Sequence, residues 1–241
     1  MGGRRGRGEF RFKRFSLRQE RTLMPLTTDS VLLGAWVACR HTARLLDVGA
    51  GSGAVTLILA QRGAGHITAL EPDKGSCLDL AENVSHSPWH ERITLRCTSL
   101  QVLAHEEEQQ HRYDLVVSNP PFFDGDTLPA DEGRRRVRHT CTLGHDELVT
   151  LGARLLKPGG HLALILPAQQ EEPFIARAAA EHLYCNRLLR VRPTPEKPPH
   201  RVVMEFSGEK KPLESYGLTI REGEGWSKAW RSLMKDLLLE F

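Results

Sequence analysis

Residues 44–53 read R-L-L-D-V-G-A-G-S-G, a short apolar run that ends in glycines at 49, 51 and 53. Leu45, Leu46 and Val48 give it the length and composition of a strand covered on both faces, and the following A-V-T-L-I-L-A-Q-R at 54–62 predicts a helix. A buried strand that turns through glycines into a helix is the repeating unit of a parallel α/β sheet. The glycines permit a tight turn and close approach of a ligand to the backbone. The first turn of the helix adds N–H groups that have no partner inside it.

Outward from this unit the same rhythm continues. His66–Leu70 (H-I-T-A-L) is a second strand, followed by a helical pattern at 73–86 and a third strand at 93–97. Tyr113–Ser118 (Y-D-L-V-V-S) is a fourth strand, nearly continuous in apolar residues. A helix at 146–156, a turn K-P-G-G at 157–160 and a strand at 161–166 complete another unit. A helix at 170–183 leads to strands at 187–192 and 201–206, whose proline-rich connection at 193–199 suits a hairpin and so one antiparallel strand. Upstream, Thr28, Asp29 and Ser30 supply cap chemistry before an apolar helix at 31–37. At the far end Trp226, Trp230, Leu233 and Leu237 recur at helical spacing within a terminal helix at 227–239, a core pattern. The fold class is α/β with a mostly parallel sheet and helices on both faces.

The 241 residues are 40% hydrophobic, enough to bury a substantial core. No apolar run approaches the roughly 18 residues of a membrane span, and the arginine-rich start lacks the apolar stretch of a secretory signal, so a cytoplasmic location is expected. Cys39, Cys77, Cys97, Cys141 and Cys185 are scattered and odd in number, which predicts reduced thiols rather than a disulfide framework or a zinc cluster. The histidines show no metal-ligand spacing, so no metal is expected. Residues 1–40 carry nine Lys/Arg against three Asp/Glu in a chain of net charge +3. That local excess, interleaved with Phe10, Phe12 and Phe15, suits phosphates and stacked bases. The expected organisation is a basic arm at 1–21 and one domain at 22–241, with Phe12, Lys13 and Arg14 as nucleic-acid contacts.

Within the glycine turn, Asp47, Gly49, Ala50, Gly51 and Gly53 are candidate ligand contacts, and Glu71 ends the second strand 22 residues past Gly49. A carboxylate there can take both hydroxyls of a ribose. The spacing G-x-G-x-G differs from the dinucleotide fingerprint because position 54 is Ala54, which leaves a dinucleotide or S-adenosylmethionine as the ligand.

Asn119-Pro120-Pro121-Phe122 follows the fourth strand, at the sheet edge where open α/β folds gather ligand chemistry. Consecutive prolines fix φ and lack N–H groups, so the segment presents carbonyls and flanking side chains rigidly. Such a segment suits methyl transfer to an exocyclic base amine. The lone pair of that nitrogen is delocalised into the ring, and it attacks well only when acceptors hold the amine hydrogens. The Asn119 side-chain carbonyl and the Pro120 backbone carbonyl can be those acceptors, while Phe122 can stack on the base.

D-V-G-A-G-S-G at 47–53 resembles motif I of the class I S-adenosylmethionine-dependent methyltransferases, and N-P-P-F resembles the N-P-P-[YF] signature of enzymes that methylate the amines of adenine, guanine or protein glutamine. Over nearly its full length the chain resembles the bacterial tRNA1(Val) (adenine-37-N6)-methyltransferases. The matching stretches are F-R-F-K-R-F at 10–15, M-P-L-T-T-D-S-V-L-L-G-A-W at 24–36, L-D-V-G-A-G-S-G at 46–53, S-P-W-H-E-R-I at 87–93, S-N-P-P-F at 118–122 and P-H-R-V-V at 199–203. The resemblance implies a Rossmann-like fold with a seven-stranded sheet, S-adenosylmethionine as methyl donor, tRNA as partner, and N6-methylation of adenosine 37. It also points to Arg138, which with Arg134, Arg135 and Arg136 could hold phosphates beside the site.

The chain departs from that family where Thr27-Thr28-Asp29-Ser30 replaces the usual Gly-Thr-Asp-Gly, and where Ser99 stands for an Asp that receives the cofactor's adenine amine. On this reading either the amine contact is lost and cofactor affinity weakens, or the role of holding the adenine passes to main-chain groups, the backbone N–H of Leu100 among them. Phe122 replaces the commoner Tyr. Competing functions are a ribosomal RNA guanine-N2 methyltransferase, a protein-glutamine methyltransferase, and an RNA-binding module without turnover.

Overall fold

The computed structural model describes residues 8–39, 41, 43–120 and 143–240. The chain opens with a small antiparallel hairpin, β1 (Glu9–Arg11) and β2 (Ser16–Arg18), followed by helix α1 (Thr28–Trp36). Strands β3 (Arg44–Val48), β4 (His66–Leu70), β5 (Ile93–Arg96) and β6 (Tyr113–Ser118) alternate with helices α2 (Ala54–Gln61), α3 (Lys74–Ser85) and α4 (Leu100–Ala104). Then come α5 (His145–Leu155), β7 (Leu156–Pro167), α6 (Glu171–Ala180), β8 (Tyr184–Arg192), β9 (Arg201–Ser207) and β10 (Glu214–Thr219). A two-stranded ribbon, β11 (Arg221–Glu222) with β12 (Gly225–Trp226), precedes α7 (Lys228–Met234).

The main sheet runs β10-β8-β9-β7-β6-β3-β4-β5, parallel except for β9, which is antiparallel to both β7 and β8. The hairpin of β8 and β9 is therefore the one expected from the sequence. The sheet has eight strands rather than seven, because β10 adds a parallel edge beside β8. Its E-S-Y-G-L-T has only Tyr216 and Leu218 at alternate positions and leaves four residues exposed, so backbone pairing more than side-chain pattern makes it a strand. The predicted turn at 157–160 is a bulge inside β7: Leu156 pairs with Tyr113, and pairing resumes at His161 with Leu115. The terminal helix is shorter than expected and stops at Met234.

Side chains alternate across the sheet and fill two cores. Leu45, Leu115, Val117, Ala163 and Ile165 face α1, α2 and α7, together with the N-terminal hairpin. Leu46, Val48, Val116, Leu162 and Leu164 face α4, α5 and α6. Trp230 and Leu237 are buried in the first core, with Trp226 and Leu233 packed against it. Cys77 on α3 and Cys97 after β5 form a disulfide with Cα atoms 6.0 Å apart, which corrects the expectation of thiols at those two positions. The sequence separates them by 20 residues, but the β4–α3–β5 crossover returns the chain to the same place.

Candidate active site

Because β3, β4, β5 and β6 are parallel neighbours, the segments that leave their carboxyl ends meet along one edge. There a cleft is lined by Gly49 and Gly51 after β3, Glu71 after β4, Ser99 and Leu100 after β5, and Asn119 and Pro120 after β6. A second cavity, lined by residues from 24 to 30 and from the glycine turn, adjoins it, and Asn119, Gly49, Gly51 and Met24 belong to both walls.

The glycine turn is closed by its own hydrogen bonds. Gly49 N and Ala50 N donate to the Leu70 carbonyl at 2.9 and 3.0 Å, Gly53 N donates to Ala50 O at 2.8 Å, and Gly51 N donates to Glu71 Oε2 at 2.8 Å. These amides are thus spent internally, and Gly49 and Gly51 give the cleft a bare backbone wall. Gly53 has φ +96°, a backbone conformation that strains any L side chain, so glycine is required on conformational grounds, and a Cβ there would also have to displace Leu80 Cδ1, 2.8 Å away. Gly53 caps α2 and lines neither cavity, while Ala50 lines only the second.

Asp47 corrects an expectation. It does not line the cleft. Its side chain is buried on the α2 side of the sheet, accepting from Thr56 Oγ1 at 2.5 Å and from the Thr56 backbone. It anchors the first turn of α2 rather than meeting a ligand. Complete burial pushes its carboxyl up to about 7, against the two Thr56 hydrogen bonds.

Glu71 is also buried, but in the cleft wall, where Oε1 accepts from Asp73 N at 2.8 Å as Oε2 does from Gly51. Burial raises its pKa above the ordinary carboxylate value, and the two amides oppose that rise. Ser99 caps α4, its Oγ accepting from Val102 N at 3.4 Å, and Leu100 contributes a buried apolar side chain.

Asn119 leaves β6 beside Ser118, whose Oγ donates to Val48 O at 2.9 Å and ties the two strand ends together. Asn119 Nδ2 donates to Ser30 Oγ at 3.0 Å. Its Oδ1 is buried and has no hydrogen-bond partner among the described residues. An acceptor held out of water and left unused is costly unless a ligand supplies the donor. Pro120 is buried in the same wall. Phe122, Arg134, Arg135, Arg136 and Arg138 lie outside the described residues.

A family model described as "Conserved hypothetical protein 95" matches residues 7–153. Curated relatives with the name tRNA1(Val) (adenine(37)-N6)-methyltransferase include one from Trichodesmium erythraeum, 38% identical and spanning 100% of both chains. One from Tolumonas auensis is 40% identical over 92% of this chain and 91% of its own. The chain belongs to this methyltransferase family. Among solved structures, a predicted O-methyltransferase from Agrobacterium tumefaciens superposes with a TM-score of 0.69 at 17% identity, covering 87% of this chain and 96% of its own. The P. horikoshii TYW2 structure in complex with MeSAdo gives 0.53 at 15% identity, covering 80% and 67%. At these identities the likeness is one of fold, which is the class I methyltransferase fold.

With the family established, the N-terminal contacts expected from composition need revision. Phe12 is buried, stacked on Phe15 with ring centroids 4.3 Å apart, and Phe15 packs edge-on against Trp89. The Phe12 ring is part of the core and presents no face to a base, so its assignment as a substrate contact is corrected. Lys13 Nζ donates to Lys235 O at 2.6 Å, and the Arg14 guanidinium lies 5.5 Å from the centre of the Trp89 ring. Both line a cavity with Gln61 and Arg62, at the opposite end of α2 from the glycine turn, about 12 Å along the helix. The structure does not bring them together with Asn119.

The segment beyond this hairpin walls the cleft instead. Buried Asp79 of α3 accepts from Arg21 N at 2.7 Å and Thr22 N at 2.8 Å, and Ser76 Oγ accepts from Leu23 N at 3.2 Å. These contacts lay Thr22, Leu23 and Met24 against the glycine turn. Sequence reasoning missed Ser30, Ser76 and Asp79 as functional positions. For Ser30 a signal existed, since it sits in the quoted T-T-D-S stretch; for Asp79 and Ser76 none did, because their partners lie more than fifty residues away.

Proposed function

We propose that the chain transfers a methyl group from S-adenosylmethionine to the N6 amine of adenosine 37 in the anticodon loop of tRNA1(Val). The observation that carries this reading is Asn119 Oδ1, a buried acceptor with no partner among the described residues, set in a wall shared by two adjoining cavities. The residues fit the cofactor. Glu71 offers the free lone pairs of a carboxylate oriented by two amides, as a ribose diol requires, and Gly49 and Gly51 leave room against the backbone. Leu100 gives an apolar face, and Thr22 to Met24 close the opposite side. When bound, S-adenosylmethionine supplies a methyl carbon already activated by its sulfonium.

The residues of this chain then have to prepare the acceptor. Asn119 Oδ1 takes one hydrogen of the adenine N6 amine, the Pro120 carbonyl takes the other, and the nitrogen lone pair turns out of conjugation. Phe122 would stack on the base, and Arg134, Arg135 and Arg138 would meet neighbouring phosphates. Holding the amine in line with the transferred carbon is the main catalytic contribution, since alignment alone can supply roughly 7–11 kcal/mol. Because the sulfonium already activates the methyl carbon, the transfer needs neither a metal nor a side-chain nucleophile.

The full-length protein, labelled methyl donor and tRNA lacking the modification provide the test. Digestion to nucleosides should yield labelled N6-methyladenosine from tRNA1(Val). Labelled N2-methylguanosine, or label on protein only, would overturn the reading.

A further inference from the structure

We propose that Ser30 is a positioning residue that fixes which end of the Asn119 carboxamide faces the acceptor amine, a role that rests on the function proposed above. A carboxamide has nearly the same shape when its oxygen and nitrogen are exchanged by half a turn about χ2, so packing alone does not choose between the two. In the productive orientation an oxygen acceptor meets the hydrogens of the substrate amine. In the reversed one two N–H donors meet those same hydrogens, and the amine is repelled.

In this chain, where Ser30 stands at a position that is usually Gly in the family, its hydroxyl breaks the symmetry. Its Oγ lies 3.0 Å from Asn119 Nδ2 and 3.3 Å from Thr27 Oγ1. Ser30 Oγ accepts from Asn119 Nδ2 whichever of the two hydroxyls donates in its contact with Thr27, and when Ser30 donates to Thr27 its hydrogen is taken up there and its lone pairs are left for Asn119. The NH2 end is therefore drawn to Ser30, and Oδ1 is left in the buried wall where it has no partner among the described residues. Ser30 is itself held. It lies in the first turn of α1, its backbone N–H donates to Thr27 Oγ1 at 3.3 Å, and the neighbouring Asp29 accepts from Arg201 Nε of β9 at 2.8 Å. Two rigid elements, the start of α1 and the end of β6, thus meet through one hydrogen bond that carries orientation rather than bulk stability.

The test compares full-length wild type with Ser30→Ala and Ser30→Thr. Ser30→Ala should lower kcat about five- to tenfold, the worth of one neutral hydrogen bond, with KM for tRNA and the cofactor Kd within about twofold of wild type. Ser30→Thr keeps the hydroxyl and should recover most of the loss. A second readout is independent of turnover: the two side-chain amide protons of Asn119, assigned by their loss in Asn119→Ala, should exchange faster with solvent in Ser30→Ala. Unchanged kcat in Ser30→Ala, an equal loss in Ser30→Thr, or a loss matched by weaker cofactor binding and a lower Tm would overturn the assignment. The wild-type product reports on the proposed function separately. A wild type that methylates guanosine instead sinks that reading, and the Ser30 comparison on that activity still decides whether the hydroxyl orients Asn119.

Discussion

Glu71 Oε2 and the backbone N–H of Gly51 lie 2.8 Å apart, so the acidic residue after one strand and the glycine turn after its neighbour are a single hydrogen-bonded unit. Removing the carboxylate removes the diol acceptor and at the same time leaves a loop amide without its partner. Glu71→Ala should raise the cofactor Kd by about 10- to 100-fold, the range for hydrogen bonds to a charged group, as read by calorimetric titration.

The same carboxylate predicts a pH dependence. Burial holds its pKa above the ordinary 4.5, and only the ionised form presents both oxygens as charged acceptors with no O–H hydrogen on either. Cofactor affinity should therefore fall on acidification, beginning at a higher pH than an exposed glutamate would give. Titrations carried from neutral pH down through the ordinary carboxylate range check this, and a fall that begins no higher than for an exposed glutamate would refute it.

Asp47 predicts a stability effect of opposite use. Its folded pKa of about 7 exceeds the ordinary 3.8 of an aspartate, so between those pH values the folded protein holds a proton that the unfolded chain has released. Stability is then greatest at the low end of this window, falls as pH rises towards 7 and levels off above it, by at most about 4 kcal/mol. Asp47→Asn keeps an acceptor for Thr56 Oγ1 without the buried charge. It should raise Tm at pH 8 and remove the slope in this window, measured by thermal unfolding across pH.

Much of this arrangement is legible in the sequence because its determinants are local. Strands β3, β4 and β6 announce themselves by continuous apolar runs, and the glycine turn, Glu71 and Asn119 follow directly from where those strands end. What escapes reading depends on partners distant in the chain. β10 is a strand only because β8 offers it a backbone edge. Cys77 and Cys97 meet only once the sheet has brought α3 beside the end of β5. The N-terminal aromatics misled for a different reason. A composition of arginines and phenylalanines suits RNA, but Phe12, Phe15 and Leu17 turn inward while Arg11, Arg14 and Arg18 remain exposed, which is the pattern of a packed hairpin.

That correction has a measurable consequence. Phe12→Ala should cost about 3–5 kcal/mol of stability, the usual range for emptying a buried aromatic site. The slope of RNA affinity against salt should not change, because no phosphate contact is lost. Chemical denaturation and a salt series on the folded variant check the two halves. An unaltered Tm with weaker RNA binding would restore Phe12 to the surface.

Asp79 ties the first segment of the chain to the cofactor wall, and its removal should separate local from global effects. One oxygen accepts from both Arg21 N and Thr22 N, and the other accepts from Arg21 Nη1 at 3.1 Å. Arg21 is nearly half exposed, so the ion pair itself contributes little. The two backbone bonds matter more, because Asp79→Ala leaves both amides without an acceptor, Thr22 N in a buried place at about 1–3 kcal/mol and Arg21 N in a part-buried one at less. The strap from Thr22 to Met24 should then loosen from α3 while the sheet stays intact. Hydrogen exchange should accelerate at Arg21, Thr22 and Leu23 and stay slow in β3 and β6. Cofactor affinity should fall, since Thr22, Leu23 and Met24 form one side of the cleft. Unchanged exchange at those amides would mean that the strap is held by its remaining bonds, among them Leu23 N to Ser76 Oγ at 3.2 Å and Leu26 N to Gln19 Oε1 at 2.6 Å.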